Sequence, residues 1–189
     1  SYYKLLNFND KNLDKISLTN ISLKYNFNDN FIDREYDICF IAANWKRAYK
    51  NLDLLLKIIS NKKMINKKII IIGTINAQII FPKNVKKFNF LENKIVKNLL
   101  LKTKTIVIIS KYDSNPNVLI EGISMGCNIV TSPNVGNHEN LDKNLLVISY
   151  KNIDNWISKI KLSLNKRYNY FGPEVNQIYD YLYNIFITH

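Results

Sequence analysis

Two carboxylic acids in an otherwise apolar stretch are the residues of this chain best suited to chemistry. In "DSNPNVLIEGISMGCNIVTSP", residues 113–133, Asp113 opens the segment and Glu121 follows eight positions later. Carboxylates are seldom buried without partners, yet Leu119, Ile120, Ile123, Ile129 and Val130 have the character of a core. The two acids therefore mark a boundary between core and solvent. Ser114 or Asn115 can cap a helix with Pro116 in its first turn, and Gly126 suits the residue just past its end. The free amides of Asn117, Val118 and Leu119 at such a helix start would form an anion site. Together these features describe a pocket in which acids accept hydrogen bonds from hydroxyl groups while the helix end holds a phosphate. The spacing alone slightly favours the plainer reading, a turn-forming Asp113 and a solvated Glu121.

The surrounding pattern supplies elements that could position such a pocket. Short apolar runs at 36–43, 67–73, 85–90, 105–110, 128–132 and 145–149 read as strands. Most are near-continuous Ile and Val, as expected where both faces of a parallel sheet are covered. Leu52, Leu55, Leu56 and Ile59 predict one helical stripe, Ile95, Leu99 and Leu100 a second, and Ile153, Trp156, Ile157 and Ile160 a third. The alternation of strand and helix predicts an α/β domain with a Rossmann-like, doubly wound parallel sheet. In such sheets ligands bind at the carboxyl ends of the strands, where Asp113 would lie. Residues 1–34 read as a lead-in or linker, 35–168 as the Rossmann-like domain, and 169–189 as a closing helix centred on 173–186 that begins at Pro173.

The stretch "DSNPNVLIEGISMGCNIVTSPNVGNHE" resembles retaining glycosyltransferases of family four, which have the two-domain GT-B fold. Those enzymes carry an acid, seven residues, a Glu, then small residues, a Gly and a strand. "FIAANWKRAYKNLDLLLK" resembles their first strand and the basic loop after it, and "KIIIIGT" their second strand. The resemblance covers about residues 36–150 and implies the C-terminal, nucleotide-sugar-binding half of such an enzyme. It implies that Glu121 binds ribose hydroxyls, Asp113 meets the transferred sugar, and Arg47 and Lys50 neutralise the departing diphosphate. Asn117, Val118 and Leu119 would then serve the donor through the helix end. The donor would be a UDP- or GDP-linked sugar acting as substrate, with no separate cofactor and no metal, since the cations and helix end take the metal's place. An N-terminal acceptor-binding domain of the same enzyme is the implied partner, its acceptor unspecified. The chain departs from the pattern at Asp113, shorter than the usual Glu, at Ser114, Asn115 and Asn117, where glycines are usual, and at Asn44. His138 in "GNHE" is left outside the site. A domain that binds nucleotide sugar without transferring it is the alternative these departures favour.

The composition excludes less than it invites. The 189 residues are 47% hydrophobic and 22% charged, ordinary for one folded domain. Lys and Arg outnumber Asp and Glu by 27 to 15, a net +12, which invites an anionic partner. The lysines are scattered rather than massed, and the interleaved "KKFNF" is the one stretch that favours a nucleic-acid-binding alternative. No specific nucleic-acid partner is expected. No run of about 18 apolar residues and no apolar signal-type segment at the N-terminus occur, so a cytoplasmic protein is expected, with peripheral membrane contact left open. The chain opens on Ser1 rather than Met, which reads as a fragment or a processed chain. Cys39 and Cys127 lie among apolar neighbours without metal-ligand spacing, so reduced buried thiols are expected and a disulfide stays open.

Overall fold

Among the described residues five strands form one parallel sheet in the order β3-β2-β1-β4-β5. They are β1 (Tyr36–Asn44), β2 (Ile69–Thr74), β3 (Val85–Phe88), β4 (Thr103–Ile108) and β5 (Asn128–Thr131). The computed structural model describes residues 31–75, 78–114, 116–136, 138, 141–147 and 151–168. From β1 the chain builds outward through β2 to β3, then crosses back and builds the other way through β4 to β5. The order therefore reverses between β1 and β4, which opens a crevice at their carboxyl ends.

Among the described residues four α-helices cover the sheet: α1 (Leu52–Ile59), α2 (Asn93–Leu101), α3 (Asn117–Ser124) and α4 (Ile153–Ser163). Successive strand residues face opposite sides, so the Ile runs feed two cores at once. Ile38, Phe40, Ile69, Ile71 and Val107 pack with Leu55 and Ile58 of α1 and Trp156, Ile157 and Ile160 of α4. Cys39, Ile70, Ile72, Ile106 and Ile129 pack with Val96 and Leu100 of α2 and Leu119 of α3. Burial on both faces is the reason these strands are apolar at nearly every position.

The structure corrects several expectations. The 145–149 run does not continue the sheet as a full strand among the described residues. It begins as a tight turn over Lys143–Leu145, makes a single parallel bridge from Leu146 to Thr131, and donates from the Val147 amide to the Thr131 carbonyl. In α1 the buried face is Leu54, Leu55, Ile58 and Ile59, with Leu52 and Leu56 at its margin. In α2 the core takes Val96 and Leu100, whereas Ile95 stands 45% exposed. Both helices carry more apolar side chains than one stripe needs, so the tertiary position of the helix selects the face. The α4 stripe is buried as expected, Ile153 lying at its edge.

Cys39 and Cys127 are both buried. Cys39 pairs with Ile106 of β4, and Ile106 pairs with Ile129 of β5, so a whole strand separates the two cysteines. Two strand spacings are about 9.6 Å, beyond the roughly 7 Å that a disulfide can span. Of the expected lead-in, Phe31–Asp33 form a short turn with Phe31 buried; residues 1–30 and the expected closing helix at 173–186 lie outside the described residues. Among the described residues no helix is long and apolar enough to cross a membrane.

Candidate functional site at the strand-order reversal

The crevice at the ends of β1 and β4 is lined by the loops that leave those two strands. After β1, the Trp45 indole donates to the Ile72 carbonyl at 3.1 Å, which seats the loop against β2. A one-turn helix over Ala48–Lys50 follows and ends at Asn51, whose φ of 62° is left-handed. That turn aims Lys50 inward. Its Nζ lies 2.7 Å from Oδ2 of Asp113, and both side chains are 18% exposed. The two residues read from separate motifs thus meet across the reversal point of the sheet.

Three further contacts bind the same two loops. The Lys111 amide donates to the Tyr49 carbonyl at 2.7 Å, and Asn51 Nδ2 donates to the Ile109 carbonyl at 3.3 Å. The rings of Tyr49 and Tyr112 stack with centroids 5.4 Å apart. A third loop, after β5, is fastened to Asp113 through backbone: the Asp113 amide donates to the Asn134 carbonyl, and the Gly136 amide donates to the Asp113 carbonyl at 2.7 Å. A methyl group on residue 136 would overlap the Ser114 carbonyl oxygen, so only glycine permits this approach. His138 sits beside the same strip, its Nδ1 2.6 Å from the Val135 carbonyl.

Helix α3 starts immediately past this junction. Pro116 is its N-cap rather than its first-turn residue, with extended backbone, and the helix closes at Gly126 as expected. There the Gly126 amide (φ 71°) reaches the Ile123 carbonyl and the Cys127 amide the Gly122 carbonyl, the paired bonds of a Schellman cap. The amides of Asn117 and Val118 are among those a helix start leaves without an intrahelical acceptor. Leu119 differs from expectation. Its amide donates to the Pro116 carbonyl at 2.9 Å and its side chain is 2% exposed in the core, so it is a packing residue. The reason is register: Leu119 falls on the face of α3 that meets Ile106 and Ile129, while Asn117 is turned to solvent.

Glu121 lies one turn into α3 and is half-buried. Burial pushes its carboxyl above the ordinary range, partly opposed by the charge of Lys97 on α2. Arg47 stands apart from the ion pair: it is exposed, and its guanidinium donates to the Tyr49 hydroxyl at 3.0 Å. The structure therefore joins Lys50 to Asp113 directly, links Arg47 to them through Tyr49, and sets Glu121 one turn of α3 further along. Tyr49, Tyr112, Asn51 and Gly136 are the members that sequence reasoning missed. A non-glycine residue before a helix, able to take a left-handed φ, was the available signal for Asn51; the tyrosines carried none, since aromatic residues in loops usually pack. Among the described residues no group of three His, Cys, Asp or Glu could hold a metal ion.

Residues 35–166 match the profile of the family described as glycosyl transferases group 1. No curated protein matches the sequence. Among solved structures, a UDP-forming α,α-trehalose-phosphate synthase from Burkholderia xenovorans is similar at 11% identity and a TM-score of 0.56, over 72% of this chain and 38% of that one. WaaG, a glycosyltransferase involved in lipopolysaccharide biosynthesis, is similar at 13% identity and a TM-score of 0.55, over 72% of this chain and 40% of that one. An E. coli structure bound with UDP-2-fluoro glucose is similar at 11% identity and a TM-score of 0.55, over 71% and 37%. At these identities the likeness is one of fold: a Rossmann-like domain of GT-B type. The chain spans about two fifths of the length of these structures.

Proposed function

The chain belongs to the group 1 glycosyltransferases, and from that premise we propose that residues 35–168 are the donor-binding part of an enzyme that transfers a sugar from a nucleoside-diphosphate sugar with retention of configuration. The observation that carries this reading is the meeting of Lys50 and Asp113 at the reversal point of the sheet, beside the start of α3. A cation, a carboxylate and a helix N-terminus converge there, which suits a ligand that is anionic at one end and rich in hydroxyls at the other.

Each group then has a role set by its chemistry. Lys50 and Arg47 attract the diphosphate and stabilise the negative charge it gains as the glycosidic bond to the sugar breaks. The amides of Asn117 and Val118 add the partial positive charge of the helix end. Asp113 accepts hydrogen bonds from hydroxyls of the transferred sugar, and Glu121 from the ribose hydroxyls. Lys50 and Asp113 partner one another at 2.7 Å, and donor binding exchanges each for a partner of its own: phosphate for Lys50, hydroxyl for Asp113. The donor is a UDP- or GDP-linked sugar, and a second, acceptor-binding domain completes the cleft and positions the acceptor. A domain that binds the donor without transferring it is separated from this reading by a product assay with that second domain supplied.

The test is calorimetric titration of the full chain with UDP, GDP, uridine and guanosine. Arg47→Ala and Lys50→Ala are each expected to weaken the diphosphate more than the nucleoside. Equal losses for both ligands would refute the assignment of these cations to phosphate. A steep fall of affinity for single-stranded nucleic acid with salt, without preference for either diphosphate, would instead indicate backbone-phosphate binding.

A further inference from the structure

We propose that Tyr49 is the positioning residue of the basic loop: it holds Arg47 and Lys50 in place as a pair and ties both to the loop that carries Asp113. The inference rests on the reading of those two cations as the diphosphate clamp. It gives a role to a residue of the basic loop that the resemblance leaves unassigned, and a physical account of why two cations on an exposed turn are aimed at all.

Long basic side chains on loops lose much rotamer freedom when they are fixed. A clamp of two such chains therefore needs supports that order them before the ligand arrives. Tyr49 offers one to each. Its hydroxyl accepts from Arg47 at 3.0 Å, and its ring lies beneath the Lys50 ammonium, 5.1 Å from the centroid. Its carbonyl accepts from the Lys111 amide at 2.7 Å, and its ring stacks on Tyr112, so the same residue is anchored on both sides of the crevice. Lys111 and Tyr112 directly precede Asp113, the residue that Lys50 grips at 2.7 Å. One tyrosine thus touches both cations through its side chain and the opposite loop through its backbone and ring. A leucine could fill the space beside Tyr112, but it could hold neither cation.

Separate parts of the side chain serve the two cations, and this makes the inference testable. Tyr49→Phe removes only the hydroxyl and keeps the ring, whereas Tyr49→Leu removes both. The full chain and each variant are titrated with UDP, GDP, uridine and guanosine, and folding is checked by thermal unfolding. Tyr49→Phe is expected to weaken the preferred diphosphate by about threefold or more, the effect of one lost hydrogen bond, and to leave its nucleoside unchanged. Tyr49→Leu is expected to weaken the diphosphate further, again with the nucleoside unchanged. In an Arg47→Ala background Tyr49→Phe is expected to have no further effect, because the hydroxyl acts through Arg47; a residue that merely packs would cost the same in either background. If Arg47→Ala weakens the diphosphate and Tyr49→Phe does not, the proposal is overturned while the assignment of Arg47 stands. Equal loss of nucleoside and diphosphate in Tyr49→Phe would also overturn it, by showing a general disturbance of the fold. Absence of any preference for diphosphate over nucleoside in the unaltered chain would overturn both the proposal and the reading beneath it.

Discussion

Breaking the Lys50–Asp113 pair is the perturbation that most directly probes how the crevice is held. At 2.7 Å and an effective dielectric of about 20, the gross attraction is about 6 kcal/mol. Removing both charges from water offsets most of it, and fully exposed pairs retain less than about 1 kcal/mol. With 18% of each side chain exposed, a coupling of about 1–2 kcal/mol is expected, between the surface and interior regimes. The assay is a double-mutant cycle with Lys50→Met and Asp113→Asn, each protein unfolded in urea. Tryptophan fluorescence reports the transition, because Trp45 and Trp156 are 3% and 0% exposed. The cycle is then repeated with saturating UDP or GDP, whichever binds. If Lys50 turns to the phosphate, the coupling measured on the liganded protein falls toward zero. Additivity of the two substitutions within about 0.5 kcal/mol without ligand would refute the reasoning that this pair joins the loops. Undiminished coupling with ligand would refute the exchange of partners.

Glu121 gives a prediction in pH. A carboxyl raised by burial is at its least costly when protonated, so its favourable contribution is present below the unfolded value of about 4.3 and is lost as pH rises through the raised folded value. Glu121→Gln is therefore expected to be more stable than the parent near neutrality, the gap closing as pH falls toward about 4; urea unfolding across that range checks it, and a gap independent of pH would count against it. Hydroxyl donors favour the carboxylate, so nucleotide binding should strengthen as pH rises through the same value, and Glu121→Gln should abolish that dependence in calorimetry. Gly136→Ala should displace the loop from Ser114 and with it the strip that carries Asp113. It is expected to weaken diphosphate binding while the sheet, seen by circular dichroism, persists; unaltered binding would show that the third loop plays no part.

What the sequence by itself determined was the alternation of the domain and the type of chemistry. Ile-rich runs specify strands buried on both faces whatever their partners, because no solvent-facing alternation is left in them. The C-terminal end of α3 was legible for the same local reason, since Gly126 takes a left-handed φ without strain, whereas its start was misplaced by a residue: Pro116, expected in the first turn, is the N-cap. The pairing of an acid motif with a basic loop was legible only as two separate motifs, through their resemblance to a family. Tertiary structure alone decided that they meet, since residues 50 and 113 are brought together by the position of β4 beside β1, and strand order is not written in any local pattern. It also decided which apolar face each helix buries. Where α1 and α2 offer several stripes of similar hydrophobicity, the choice falls to the sheet they pack on, and Ile95 is left outside. The Leu119 side chain joined the core by the same logic, because the face of α3 that meets Ile106 and Ile129 was set by the sheet, while its amide is taken by the Pro116 carbonyl. Tyr49 shows the limit most plainly. Nothing in an aromatic residue between Ala48 and Lys50 announces whether it packs, and only its distances to Arg47, Lys50 and the facing loop give it a role.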